Sequence, residues 1–370
     1  METVLAVTQV KTKVRKRAAA TAVIAVVLAI LYLLQMLLMP KYSGAMREGS
    51  LISEYYDETS PHDVIFVGDC EVYENFSPIT LWEQYGITSY IRGSAQQLIW
   101  QSYYLLEETL RYETPKVVVF NVLSMKYGEP QNEAYNRMTL DGMRWSDLKF
   151  KAIEASMTDE ETLISYVFPF LRFHSRWNEL TADDFTAMFG EKNVSHSGYL
   201  MRADVKPATQ TPQPPVLADY TFSDTCYQYL DMMTKLCKDR GIQLILIKAP
   251  SIYPNWYDEW DKQMVDYAEK NDLTYINFLE KSDETGVDMQ TDTYDMGLHL
   301  NLSGAEKMSS YLGGLLAEDF GLEDHRGDAE LSRIWVEKVD EYNREKAAQD
   351  AEIAQYGYLK SLTVDFKEET

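Results

Sequence analysis

The sequence predicts an α/β fold: a mainly parallel sheet of about five strands, covered by helices on both faces, with a helical insertion and an N-terminal helix able to cross a membrane. Three observations predict it. Short apolar runs alternate with amphipathic stretches both early and late in the chain, and strands alternating with helices build a parallel sheet buried on both sides. Residues 127–216 interrupt that rhythm with a mostly helical pattern and close in the Pro-rich KPATQTPQPPV (206–216), which has no place inside a sheet. Residues 18–39, AAATAVIAVVLAILYLLQMLLM, contain only Thr21 and Gln35 as polar side chains.

Those 22 apolar-rich residues make a helix of about 33 Å, enough to span hydrocarbon. Lys11, Lys13, Arg15, Lys16 and Arg17 precede the span, and only Lys41 and Arg47 follow soon after. That asymmetry places residues 1–17 in the cytoplasm and the rest of the chain outside. A cleaved signal peptide, with Ser43–Ala45 as the small-residue site, is the other reading. The apolar run exceeds the roughly 7–15 residues of such peptides, which favours an uncleaved anchor.

Beyond the anchor, Asp63–Val67 reads as a short strand, Thr88–Ile91 as a weaker one, and Ser94–Glu113 as an amphipathic helix. Lys116–Asn121, introduced by Pro115, is the best buried strand. After the insertion come a helix capped by Ser223 and stopped by Gly241, the strand Ile242–Lys248, a helix near Glu259–Lys270 and the strand Thr274–Asn277. Ser303 and Glu306 match a capping box, so a last helix of the series is expected from about Gly304. Residues 329–370 read as an amphipathic helix, with Ile334, Trp335, Val339 and Tyr342 facing the body, and a tail. The sheet domain thus divides into 40–126 and 217–328.

The chain carries a formal charge of −23, with 45% hydrophobic and 12% aromatic residues. A large core is available, and a nucleic-acid partner is disfavoured because phosphates need a basic surface. Cysteine and histidine spacing suggests no metal site. Cys226 and Cys237 lie eleven positions apart on one predicted helix, about 16 Å apart and beyond disulfide reach. Both read as small core residues, and Cys70 is left without an evident partner.

Sites in open parallel sheets form at the carboxyl ends of strands. The first strand ends in VGDC: Gly68 permits a tight turn, Asp69 follows, and Cys70 opens the next helix, where backbone N–H groups favour a thiolate or oxyanion. In DTYDMGLHLNLSGAEK (292–307), His299 occupies a loop preceded by Asp292 and Asp295, either of which could orient it as a general base. Gly93 and Asn121 end the second and third strands and are candidate oxyanion donors. In the insertion, FPFLRFHSRWNEL carries Arg172, His174, Arg176 and Trp177, suited to an anionic or sugar substrate; the other reading has the arginines paired with the abundant carboxylates. His62, His196 and His325 read as ordinary loop residues.

The order of these features, over Asp63–Asn121 and Ile242–Phe320, resembles the SGNH/GDSL hydrolase superfamily. The resemblance implies a flavodoxin-like three-layer α/β/α sandwich. It implies Cys70 as nucleophile, Gly93 and Asn121 as oxyanion donors, and His299 as base oriented by Asp295. Cys70 stands where the family has Ser, Asp295 precedes His299 by four residues rather than three, and Asn121 lies outside the usual Gly-x-Asn-Asp setting. The membrane-anchored branch, including proteins resembling the teichoic acid D-alanyl transfer protein and polysaccharide O-acetyltransferases, implies hydrolysis or transfer of acyl esters. The implied substrate is a cell-envelope glycopolymer or an acylated small molecule, with a membrane acyl-donor protein as partner and no cofactor. The alternative is a non-catalytic surface scaffold or glycan-binding module on a degenerate form of this fold.

Overall fold

A computed structural model describes residues 2–39, 41–42, 46–47, 49–188, 194–210 and 213–362. Ser43–Ala45, the alternative cleavage point, lies outside these residues. The chain divides into two compact units: Met1–Arg47 with Thr162–Glu191, and Glu48–Glu161 with Lys192–Thr370.

In the first unit, α1 (Glu2–Leu38) is one continuous helix. Its stretch Lys13–Leu38 has a mean hydropathy of 2.6 and is almost wholly exposed.

The second unit is built on five parallel strands, β1 (Val64–Gly68), β2 (Ser89–Gly93), β3 (Val117–Asn121), β4 (Gln243–Lys248) and β5 (Thr274–Asn277). Their spatial order is β2-β1-β3-β4-β5. This is the flavodoxin-like doubly wound order, the sheet implied by the SGNH/GDSL resemblance. Every strand lies within two residues of its expected place, because short β-branched runs bounded by turn residues are a local signal.

Alternate side chains of each strand point to opposite faces. Val64, Phe66, Ile91, Val117, Val119, Ile245 and Ile247 share one core with α3 (Pro78–Tyr85), α12 (Leu302–Glu318) and α13 (Ala329–Tyr356). There the indole of Trp82 stacks on that of Trp335, centroids 5.2 Å apart. Val118, Phe120, Leu244 and Leu246, also buried, belong to the opposite set. Helices α4 (Ile99–Thr109) and α10 (Asp224–Arg240) pack on the sheet and on each other, with α6 (Asp147–Ser156) against α4.

Two helix starts differ from expectation. The α4 helix begins at Ile99, not Ser94, because residues 94–97 close a turn: Gln96 has φ +48° and the Gln97 N–H donates to Ser94 O at 3.2 Å. The α12 helix is capped by Asn301, whose Oδ1 accepts from Gly304 N–H at 3.2 Å. Glu306, the expected capping-box partner of Ser303, instead reaches Tyr342 Oη and Lys346 Nζ. Ser223 and Gly241 do cap α10, and Cys226 and Cys237 on it are buried and free. The insertion divides: α5 (Glu133–Leu140) and α6 pack within the sheet unit, whereas 162–191 belongs with α1.

Candidate active site

Strand register brings three predicted residues to one rim. Gly68 pairs with Gly93, and Asn121 with Ile247 one step beyond Phe120, the partner of Val67. A Cβ on Gly93 would stand 2.9 Å from Val72 Cγ2 and 3.0 Å from Gly68 O, so only glycine lets the two strand ends close. Gly68, at φ +153°, turns the chain into Asp69, whose Oδ1 accepts from Glu71 N–H at 3.1 Å. Cys70 then opens the single-turn α2 (Cys70–Tyr73), with its side chain partly exposed.

The histidine loop is tied to this turn from several directions. Asn75, just past α2, accepts from Leu300 N–H at 2.8 Å and donates to Ser251 Oγ at 3.0 Å. The Pro-rich connector runs alongside, Lys206 N–H donating to Thr293 O and Met296 N–H to Lys206 O. Thr293 Oγ1 donates to His299 O at 2.7 Å.

Asp295, not Asp292, orients the ring. Its Oδ2 lies 2.7 Å from His299 Nδ1 and its Oδ1 accepts the His299 backbone N–H at 2.8 Å. Asp292 is taken up by Lys307 Nζ at 2.6 Å and by the Asp288 N–H. An ionised Asp295 holds a proton on Nδ1, so in the neutral ring Nε2 is the basic nitrogen. That atom is buried with no hydrogen-bond partner among the described residues. The thiol of Cys70 and the ring of His299 act on each other electrostatically, each favouring the other's charged form.

The charge balance differs from expectation. Burial pushes the Cys70 thiol up to about 11, against the pull of His299, with Asp69 and Glu74 adding to the rise. The predicted thiolate-favouring helix start is only one turn long, too short to outweigh desolvation. Burial also opposes charge on His299, but the Glu74 carboxylate and the Asp295 hydrogen bond together hold it well above the ordinary range.

Asn121 is fully buried, and its Nδ2 donates to Asp69 Oδ1 at 3.0 Å and Glu71 Oε2 at 2.9 Å, while Oδ1 accepts from Ala249 N–H. Both amide hydrogens are engaged, tying Asn121 to the turn that carries Cys70.

Sequence reasoning missed several neighbours. Glu74 is buried one helical turn after Cys70, 3.5 Å from His299 Nδ1 and bonded to Tyr294 Oη. Tyr294 lies nearly parallel to the His299 ring, and the Arg202 guanidinium sits 4.4 Å from the centre of the Tyr294 ring. Lys126, in the turn after β3, feels Asp69, Glu71 and Cys70, and burial lowers its pKa. Beneath the turn Lys248 Nζ lies 2.9 Å from both oxygens of Glu71, the pair wholly buried. A lysine closing the apolar run IQLILIK was the available signal, since Lys is almost never buried unless paired.

The insertion residues lie in the other unit. Arg172, His174, Arg176 and Trp177 belong to the unit that holds α1. Arg176 donates to Leu38 O at 2.8 Å and reaches Asp184 at 3.5 Å, and His174 Nδ1 lies 2.9 Å from Leu171 O. The remaining histidines lie against carboxylates: His62 beside Glu113 and Glu58, His196 beside Glu345, His325 beside Asp63. Five cavities of about 570, 560, 420, 380 and 150 Å³ occur among the described residues of the sheet unit, and none of the five is lined by Cys70 or His299.

No family model matches the sequence, and no curated protein matches it. Among solved structures, the chain is similar to a protein of Bacteroides fragilis NCTC 9343 assigned as an acylhydrolase, at 13% identity and a TM-score of 0.36, over 72% of this chain and 94% of that one. It is also similar to a GDSL-like lipase of Bacteroides thetaiotaomicron VPI-5482, at 14% identity and a TM-score of 0.33, over 73% of this chain and 95% of that one. At such identities and TM-scores, activity has to be argued from the chain's own site.

Proposed function

We propose that the chain is a membrane-anchored, extracytoplasmic acyl-ester hydrolase or acyltransferase that works through Cys70 on acyl groups of cell-envelope glycopolymers. One observation carries the reading: His299 is held through Nδ1 by Asp295, its Nε2 is buried with no other side-chain partner among the described residues, and its ring interacts with the Cys70 thiol. A nucleophile, its base and the group orienting that base are the parts that acyl transfer needs. The apolar, exposed Lys13–Leu38 stretch supports the anchor.

In the reaction, His299 Nε2 takes the thiol proton as Cys70 Sγ attacks the acyl carbonyl. The backbone N–H groups of Cys70 and Gly93 receive the oxyanion. Collapse expels the alcohol, protonated by His299, and leaves a thioester on Cys70. Water or a sugar hydroxyl then attacks the thioester, its proton passing to His299 and back to the departing sulfur.

A second reading, a non-catalytic scaffold or glycan-binding module, is favoured by the raised thiol and by the engaged amide of Asn121. Intact-mass analysis and peptide mapping after incubation with p-nitrophenyl acetate separate the two. An acetyl adduct confined to Cys70 and lost in Cys70→Ala supports catalysis. No adduct on Cys70 from this or longer activated esters, with glycan binding retained, supports the scaffold.

Both groups are shifted upward, which favours the thiol on Cys70 and the imidazolium on His299. The basic form of His299 appears only as pH rises, so acylation is expected to climb through pH 7 into the alkaline range. Removing the Glu74 charge in Glu74→Gln weakens the hold on the His299 proton and is expected to move that limb to lower pH. A pH profile of acylation that is flat from 6 to 9 (about the range over which an ordinary or raised histidine titrates) would contradict this charge arrangement.

A further inference from the structure

We propose that the segment Leu163–Phe185 is a membrane-interface collar, seated at the boundary of headgroups and acyl chains beside the end of α1. This rests on the anchored reading of α1 and adds a second point of lipid contact to it.

The segment contains α7 (Leu163–Val167), α8 (Phe170–Phe173), a tight turn over His174–Asn178 and α9 (Ala182–Ala187). Its pattern is unusual for a surface element, because it is apolar on both sides. Tyr166 and Phe173 are buried, whereas Leu163, Ile164, Phe168, Leu171, Trp177 and Phe185 are exposed, Trp177 to 72%. A group of large exposed apolar side chains marks a surface that meets protein or lipid.

The location within the unit selects lipid. This segment packs against α1 through α8, α9 and the intervening turn. Arg176 donates to Leu38 O at 2.8 Å, supplying a partner and a positive charge to carbonyls that a helix C-terminus leaves unmatched. That bond fixes Trp177, the next residue, at the level where the exposed apolar stretch of α1 ends. Tryptophan at the end of a span is the composition of the membrane interface, where an indole sits among headgroups, while the Arg176 guanidinium stays with Leu38 O, Asp184 and Glu179. The arginine–aromatic motif read earlier as substrate-binding thereby acquires a lipid role.

The full-length protein in phosphatidylcholine nanodiscs provides the test. Tryptophan fluorescence is compared between lipid brominated at the 6,7 positions and unbrominated lipid, for wild type and Trp177→Phe. The expected result is quenching in wild type that is markedly reduced in Trp177→Phe and restored when Phe185→Trp is added. Equal quenching in wild type and Trp177→Phe overturns the collar, whether Trp177 faces water or another protein. Alkaline carbonate extraction reads the anchor separately: release from membranes defeats the anchored reading itself, while retention without a Trp177 signal defeats the collar alone.

Discussion

Asparagine in place of Asp295 is expected to slow acylation of Cys70 by about 10³- to 10⁴-fold, the size of effect seen when the carboxylate of a nucleophile–histidine–carboxylate set loses its charge. The variant keeps an oxygen able to accept the His299 backbone N–H, as Oδ1 does now at 2.8 Å, so the loop stays in place. The change is at the ring. Where Oδ2 now lies 2.7 Å from Nδ1, an amide N–H would donate to that nitrogen and send the ring proton to Nε2, which could then no longer accept from the thiol. Single-turnover acylation followed by mass spectrometry measures the rate, and thermal unfolding checks the fold. A loss of less than about tenfold, with the melting temperature unchanged, would remove Asp295 from the orienting role, because general acid–base assistance alone contributes at least 10²-fold.

Methionine in place of Lys248 is expected to cost about 3–5 kcal/mol of folding stability, the usual penalty for leaving one member of a buried ion pair alone. Lys248 and Glu71 have no exposed side-chain surface. Besides the carboxylate, Nζ donates to Ala249 O at 2.7 Å. Without the ammonium, Glu71 keeps, among the described residues, only the Asn121 amide as a side-chain donor, and burial already raises its pKa. The double variant Lys248→Met/Glu71→Leu removes both charges and is expected to recover much of the loss, since well-packed apolar replacements of buried pairs are often neutral or better. Urea unfolding of wild type, single and double variants measures the difference. Equal stability of the single and double variants would show that the uncompensated charge is not the source of the cost. Because Glu71 directly follows Cys70, the single variant is also expected to loosen the nucleophile turn.

The strands were legible because each is a local event. VIFV, VVVFN, QLILIK and TYIN are runs of β-branched and apolar residues closed by Gly, Asn or Lys, and burial on two faces requires little more. The ends of α4 and α12 were less legible. Ser94 and Ser303 are both good caps by residue type, but Gln96 enters a left-handed turn and Asn301 takes the cap in the folded chain. Glu74 was invisible as a site residue because its importance comes from Tyr294 and His299, more than two hundred positions away.

Composition and periodicity by themselves determined that this chain carries an apolar N-terminal helix and a parallel sheet covered by helices, with Cys70 at a strand's carboxyl end, since these follow from patterns within short windows; its flavodoxin-like order was implied by the family resemblance. Only the tertiary structure decided which carboxylate holds His299 and which groups the Asn121 amide bonds. Asp292 and Asp295 lie three residues apart in one loop and differ chiefly in the partners the fold brings to them. The Asn121 amide is claimed by Asp69, Glu71 and Ala249, residues 52, 50 and 128 positions away. A hydrogen bond is directional and short, so its partner is chosen by where the whole sheet and its loops come to rest.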